Sequence, residues 1–334
     1  MTPTDPRPLR PGRRRAIVGV FAALGLAAAS VAHAETWPAR PIQLVVPFAP
    51  GGAADVLGRL VGERLGRELK QSVVVVNRGG AGTVIGVNSV AKAPADGYTL
   101  LLSGDAATIN TASGRKLPYD LVKELQPVSL VSAGTQFLIV RKDDRRFGAV
   151  SDLVRQAKAR PGTLRYGSSG VGSSLHMAGE IVASAAGIDT IHVPYRGVAP
   201  AMNDLAGGSI DYMVAGSTSA IPAIEQGQFR ALAVTARQRS AQLPDVPTLV
   251  ELGVDAETSG WYGLFTTAGT PAPIVQQLNA AMQRILSARD MEDRLRRLGG
   301  EPRPTSPEQL AEFMRTEIEK FRAVIRERGI TLEE

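Results

Sequence analysis

An apolar run, Ile42-Gln43-Leu44-Val45-Val46, passes through Pro47-Phe48-Ala49-Pro50 into Gly51-Gly52 and opens on a pattern in which Val56, Leu57, Leu60, Val61, Leu65 and Leu69 recur at helical spacing. A short apolar run followed by a 3.6-residue period predicts a buried strand at 42–46 delivering the chain, through a glycine turn, to a helix at 55–70 with Ala54 or Asp55 as its N-cap. The first N–H groups of such a helix have no internal partners and carry the positive end of its dipole, about half an elementary charge, so a carboxylate can lie against them. Glycines let the backbone approach that guest closely. Taken alone, the segment also reads as nothing more than a tight strand-to-helix turn.

The same arrangement recurs at Tyr166-Gly167-Ser168-Ser169-Gly170-Val171-Gly172-Ser173-Ser174-Leu175-His176, where a strand at 164–167 enters a Gly/Ser loop that opens a helix near Ser174. Four hydroxyls and several N–H groups of small residues can donate to one acceptor there. Hydrogen bonds to a charged group contribute about 1.5–3 kcal/mol each, so three or four would be consistent with micromolar binding after the cost of association. The plain alternative is a serine-rich loop with a serine N-cap.

Between and beyond these junctions, strands and helices alternate. Apolar runs at 73–76, 98–103, 136–140, 164–167, 190–193, 210–214 and 231–235 read as buried strands, with helical patterns at 84–92, 151–159, 175–186, 200–206 and 219–226. This alternation predicts an α/β fold with largely parallel sheets. The C-terminal part changes character, with a strand at 263–267 and helices at 273–287, 291–298 and 307–328, the last opened by a capping box of Ser306 and Gln309 with Pro307 at its first position. Such terminal helices could return to cover the first half of the chain.

At the N-terminus, Arg7, Arg10, Arg13, Arg14 and Arg15 precede an uncharged stretch at 16–34 that ends Ala32-His33-Ala34. A basic segment, an apolar segment and a small-x-small end read as a secretory signal peptide at 1–34, cleaved after Ala34, and the apolar part is short and rich in Ala and Gly rather than built to span a bilayer. The leader holds five arginines and one aspartate of the chain's 38 basic and 32 acidic residues, which leaves 33 against 31 once it is removed. No Lys/Arg stripe interleaved with aromatics remains, which argues against nucleic acid as a partner. The chain has no cysteine, so it lacks disulfides, a thiolate nucleophile and Cys-ligated metal.

Enzyme motifs come close and fail. After the strand at 73–76, Gly80 and Gly82 begin a dinucleotide fingerprint whose third glycine, Gly86, falls one position late. Neither Ser168 nor Ser169 has the flanking glycines of a nucleophile elbow, and no Walker A or H-E-x-x-H sequence occurs. His176 and His192 are the two histidines outside the leader, and packing roles suit both better than catalysis. The chain is therefore expected to be no enzyme and to need no cofactor or metal.

The segments Trp37-Pro38-Ala39-Arg40-Pro41-Ile42, Val46-Pro47-Phe48 with Gly51-Gly52 and Asp55, Asn77-Arg78 with Gly80-Ala81-Gly82, Asp96-Gly97-Tyr98-Thr99-Leu100-Leu101, Tyr166-Gly167-Ser168-Ser169-Gly170, His192-Val193-Pro194-Tyr195-Arg196-Gly197 and Leu243-Pro244-Asp245-Val246-Pro247-Thr248 stand in this order in the chain. In order and spacing they resemble the Bug-type, or tripartite tricarboxylate transporter, substrate-binding proteins, over essentially all of the chain after the leader. The resemblance implies a two-domain periplasmic-binding-protein fold of Venus-flytrap, type II-like form, with a mixed, largely parallel sheet in each domain. It also implies a small carboxylated ligand in the cleft, delivered in the periplasm to the permease subunits of a membrane transporter by a monomeric receptor.

In such proteins the carboxylate lies between the first strand–helix loop and the serine-glycine loop. Carried onto this chain, the ligand residues are Phe48, Pro50, Gly51, Gly52, Ala53, Ala54 and Asp55 in the first loop, and Ser168, Ser169, Gly170, Gly172, Ser173 and His176 in the second. Ser103, Asp105, Arg196 and Ser217 complete the set. Two positions depart from the family pattern. Asp105 stands in a segment where a Thr-His pair is common, and an acid there disfavours a second carboxylate and suits an amine or hydroxyl. Arg196 replaces the usual Lys and either reaches the ligand's far end or stays solvated at a helix start.

The expected boundaries are 35–133 plus 260–334 for domain one and 134–259 for domain two, with the cleft between them. Two rivals from other classes remain. One is a sensory receptor for a two-component system, and the other a hydrolase using a cleft serine with His176.

Overall fold

The computed structural model describes residues 37–332, so the leader and the cleavage after Ala34 lie outside the described residues. Residues 40–332 form one compact unit. Its chain begins with β1 (Ile42–Val46), α1 (Ala53–Leu69), β2 (Val73–Asn77), a 3-10 turn (Ala81–Thr83), α2 (Val84–Ala91), β3 (Thr99–Gly104), α3 (Asp105–Ala112), α4 (Leu121–Glu124) and β4 (Leu125–Gly134). There follow β5 (Gln136–Arg141), α5 (Val150–Ala159), β6 (Arg165–Ser168), α6 (Ser174–Ala186), β7 (Ile191–Pro194), α7 (Val198–Gly207), β8 (Tyr212–Gly216), α8 (Ser217–Glu225) and β9 (Phe229–Val234). The chain ends with β10 (Gly260–Thr267), α9 (Ala272–Leu286), α10 (Arg289–Arg297), β11 (Gly300–Pro302) and α11 (Pro307–Arg328).

These strands make two mixed sheets, ordered β11-β4-β10-β3-β1-β2 and β7-β6-β8-β5-β9. The pairs β1–β2, β1–β3, β6–β7 and β6–β8 are parallel. Strands β10 and β5 run antiparallel to both of their neighbours. Leu44, Val45, Val46, Leu100, Leu101 and Leu102 are all fully buried, as expected of central strands covered by helices on both faces. Helix α1 supplies one cover with Leu57, Leu60, Val61 and Leu65, and Gly62 lets it approach Val75 closely, since an added Cβ would stand 3.1 Å from that side chain.

The chain passes from the first sheet to the second at 134–136 and back at 258–260. The two crossings are tied together. Thr258 Oγ1 donates to Gln136 Oε1 at 2.7 Å, and the Thr258 N–H donates to the Thr235 carbonyl at 3.0 Å. Helix α11 joins the layers a second way, packing Leu310, Met314, Ile318 and Phe321 into the core and ending with Arg328 Nε on Glu180 Oε2 of α6 at 2.8 Å. Its capping box is present as expected, with Ser306 Oγ accepting the Gln309 N–H and Gln309 Oε1 accepting the Ser306 N–H.

Four elements do not show in the sequence pattern: β4, β11, α3 and α4. Strand β4 contains Pro127, Ser129 and Ser132, which break its apolar run. Pro127 is tolerated because β11 pairs only with residues 132–134, and a register shift in the β10 ladder falls at Pro127's partner Phe265, between Leu264 and Phe265. Helix α3, Asp-Ala-Ala-Thr-Ile-Asn-Thr-Ala, has no apolar face to read. It is held by burial of Ala107, Ile109 and Ala112 and by Asn110 Nδ2 donating to the Gly82 carbonyl at 2.5 Å.

The N-cap expectation for α1 is also corrected. Gly52 is the N-cap, with no side-chain cap, and Asp55 is the third helical residue, its Oδ2 accepting the Gly51 N–H at 2.9 Å. A carboxylate at that position reaches back over the turn, as in a capping box.

Candidate functional site

A cleft of about 510 Å³ is lined by residues that both sheets contribute, a size suited to a small metabolite. Five helix starts meet its wall. Ala53 opens α1, Asp105 and Ala106 open α3, Ser174 opens α6, Val198 opens α7, and Ser217 and Thr218 open α8. Only α6 among these is capped by its preceding side chain, Ser173 Oγ accepting the His176 N–H at 3.2 Å; Gly52, Gly104, Gly197 and Gly216 precede the others. A small or glycine N-cap leaves the first-turn N–H groups open to a guest. No lysine, arginine or histidine lines the cleft among the described residues. An anion there is met by aligned dipoles and hydroxyls rather than by cations.

The first loop contributes Phe48 and Ala53 to the wall. Pro50, Gly51 and Gly52 are exposed and do not line the cleft, and Ala54 is buried behind it. Asp55 is buried too, and its carboxylate is occupied: the Gly51 N–H holds it below the usual carboxylate range, with Arg59 adding to the effect. It serves the loop's shape and stands away from the cleft lining.

Phe48 stands edge-on to Tyr262 of β10, ring centroids 6.4 Å apart, and Leu57, Leu295 and Leu298 extend this apolar side. Such a wall suits a carbon skeleton.

The second loop splits by alternation at the end of β6. Ser169 and Ser173 line the cleft, while Ser168, one residue earlier, is fully buried. Gly170 and Gly172 turn the loop at φ +127° and +74°, conformations that favour glycine, without lining the cleft themselves. His176 lies beneath the loop. Its Nδ1 accepts the Gly172 N–H at 3.1 Å, and its ring stacks on His192 at 3.9 Å between centroids. Burial pushes both histidines down to about 4, aided at His192 by its neighbour His176.

His192 in turn stands 2.7 Å from Ser168 Oγ, which also accepts the Gly170 N–H at 3.1 Å. Sequence reading missed this contact. Only the parallel pairing of β6 with β7 brings the two together, 24 positions apart. It resembles a nucleophile and base by distance, yet Ser168 has no exposed surface for a substrate to reach. The His176 ring is hydrogen-bonded to the Gly172 N–H and not to a cleft serine, so the residues named for the hydrolase rival are not assembled.

Of the other expected ligand residues, Ser103 is buried and off the cleft, and Arg196 is exposed and off it. Ser217 lines the cleft but donates its hydroxyl to the Gly299 carbonyl at 2.6 Å, which ties α8 to the turn before β11. That turn, Leu298-Gly299-Gly300, forms part of the wall that sequence did not suggest. Gly299 adopts φ +76°, and a side chain there would strike Ser217 and Thr218.

Asp105 is the one acid in the wall among the described residues. Its Oδ1 accepts the Ala106 N–H at 2.7 Å. Burial, with a contribution from Glu317 of α11, raises its carboxyl to about 7, against the opposing pull of the Ala106 and Trp261 N–H groups and the Ser174 hydroxyl.

The family model described as tripartite tricarboxylate transporter family receptor matches residues 57–330. Protein BugT of Bordetella pertussis is 36% identical over 323 residues, covering 96% of this chain and 98% of BugT. Among solved structures, a Rhodopseudomonas palustris protein with adipate is 35% identical with a TM-score of 0.76, covering 88% of this chain and 99% of that one. MatC of the same organism with bound malate is 33% identical with a TM-score of 0.72, covering 86% and 100%.

Proposed function

Because the chain belongs to the tripartite tricarboxylate transporter receptors, a family of solute-binding proteins, we propose that it captures a small organic acid in the cleft and hands it to membrane permease subunits without chemical change. The observation that carries this reading is the meeting of five helix starts on one cleft that no basic side chain lines among the described residues. Relatives solved with adipate and malate support an acid as the guest. The two sheets then mark two lobes, 35–133 with 260–334 and 134–259, which close on the ligand about the paired crossings at 134–136 and 258–260.

Calorimetric titration across monocarboxylates, dicarboxylates, hydroxy acids and amino acids should find at least one ligand of micromolar affinity, recovered unaltered after prolonged incubation. X-ray scattering of the same samples should report a more compact molecule with ligand. Failure of every carboxylate to bind, or steady conversion of one that does, would sink the reading.

The receptor is proposed to work in the periplasm after cleavage following Ala34. Intact-mass analysis of the exported protein should find a chain beginning at Glu35, and an uncut chain retained in the membrane fraction would refute it.

A further inference from the structure

The position of Asp105 points to a narrower class of ligand. We infer that the cleft selects a zwitterionic amino acid, whose carboxylate rests on the serine-glycine loop and the start of α6 while its ammonium bonds the Asp105 carboxylate. This rests on the reading of the cleft as a carboxylate receptor and adds the group beside the carboxylate.

The argument begins from position. Asp105 is the first residue of α3, and its carboxyl lies in the cleft wall close enough to the Ser174 hydroxyl, at the first residue of α6, to feel it as a hydrogen-bond donor. Acceptor and donors are thus neighbours in one wall, as the adjacent ammonium and carboxylate of an α-amino acid require. Gly260 lies beside this carboxylate, a methyl group there standing 3.6 Å from Asp105 Oδ2, in ordinary contact.

Charge supports the same guest. With no lysine, arginine or histidine in the lining among the described residues, nothing in the wall answers Asp105's charge. A simple dicarboxylate would bring two anions beside a third, which costs free energy unless Asp105 stays protonated. An ammonium reverses this, because it favours the ionised carboxylate and makes a charge-assisted bond. Glu317 of α11 adds negative potential from behind, and Tyr262 of β10, its phenol held neutral by burial and by Asp105, adds no charge. Both leave the position attractive to a cation.

The test uses matched pairs that differ only in the ammonium: glutamate and glutarate, aspartate and succinate, leucine and 4-methylpentanoate. The wild-type protein should bind the amino acid of at least one pair about ten- to a hundredfold more tightly than its desamino partner, the worth of one charge-assisted bond. Asp105→Asn, of the same shape, should bring that ratio close to one while binding to the desamino acid persists, and Asp105→Ser should do the same. Carboxylate binding with no preference for the ammonium, or a preference that survives both substitutions, would overturn the inference and leave the receptor standing. Absence of binding to every carboxylate would instead remove the receptor reading on which it rests.

Discussion

Replacing Ser169 with aspartate should abolish ligand binding, whereas Ser169→Ala should weaken it by roughly ten- to two-hundredfold. Ser169 lines the cleft at the mouth of the serine-glycine loop and is half-buried, so either side chain fits there without entering the core. The alanine removes one hydroxyl donor to a charged guest. The aspartate sets a fixed negative charge where the ligand's carboxylate must lie and takes the first-turn donors of α6 for itself, adding like-charge repulsion to competition. Stability should change little, because an acid near a helix start is tolerated or favourable. Thermal melts followed by circular dichroism, run beside calorimetric titrations, would separate the two effects. Unaltered affinity in Ser169→Asp would mean that the ligand sits elsewhere in the cleft or outside it.

The contrast between Ser169 and its neighbour marks the limit of what sequence could tell. Both strand-to-helix loops were legible, because a run of apolar residues ending in glycines and opening on a helical period has few other readings. Helix α11 was legible to its ends, since Ser306, Pro307 and Gln309 announce its start and Gly329 turns it off at φ +61°. Which serine faces the guest was not, because that depends on the phase of β6 at its last residue, fixed by pairing with β7 and β8.

Asp55 shows the same limit. Its type suits an N-cap, and only the backbone path of Gly51-Gly52 sets it three residues into the helix and turns its carboxylate back on the loop. The remaining wall came from elements without periodic pattern. Helix α3 is eight residues of mixed polarity, and the turn at 298–300 meets α8 from about 80 positions away. Tertiary contact, rather than local preference, decides both.

Acid should destabilise the fold through the two stacked histidines, and Asp105 should mask part of that loss. His176 and His192 stay neutral in the fold, with values near 4 against an ordinary 6.5. Above the ordinary value neither state is charged and their contribution is complete. As pH falls from there towards 4 the unfolded chain takes up protons that the fold refuses, so stability is lost, about 2.5 kcal/mol per ring between about pH 7 and about pH 4.5.

The geometry adds a local consequence. A proton on His176 Nδ1 would face the Gly172 N–H that now donates to it, so the serine-glycine loop would lose its support. Glu180 beneath the pair favours the charge at His192 but is already engaged by the Tyr166 hydroxyl at 2.6 Å and by Arg328.

Asp105 acts in the opposite sense. Its folded value, about 7, lies above the ordinary 3.8, so the fold takes up that proton first and gains stability as pH falls across the same window, by about 3 kcal/mol. From these three groups the wild-type protein should therefore lose about 2 kcal/mol between about pH 7 and about pH 4.5, and the Asp105→Asn protein about 5 kcal/mol, a difference that the other carboxylates, common to both, leave unchanged. Urea unfolding of both at the two pH values, with the histidine ring signals followed by NMR, would measure the difference. Equal losses in the two proteins would refute the raised Asp105, and ring signals titrating near their ordinary value would refute the buried neutral pair.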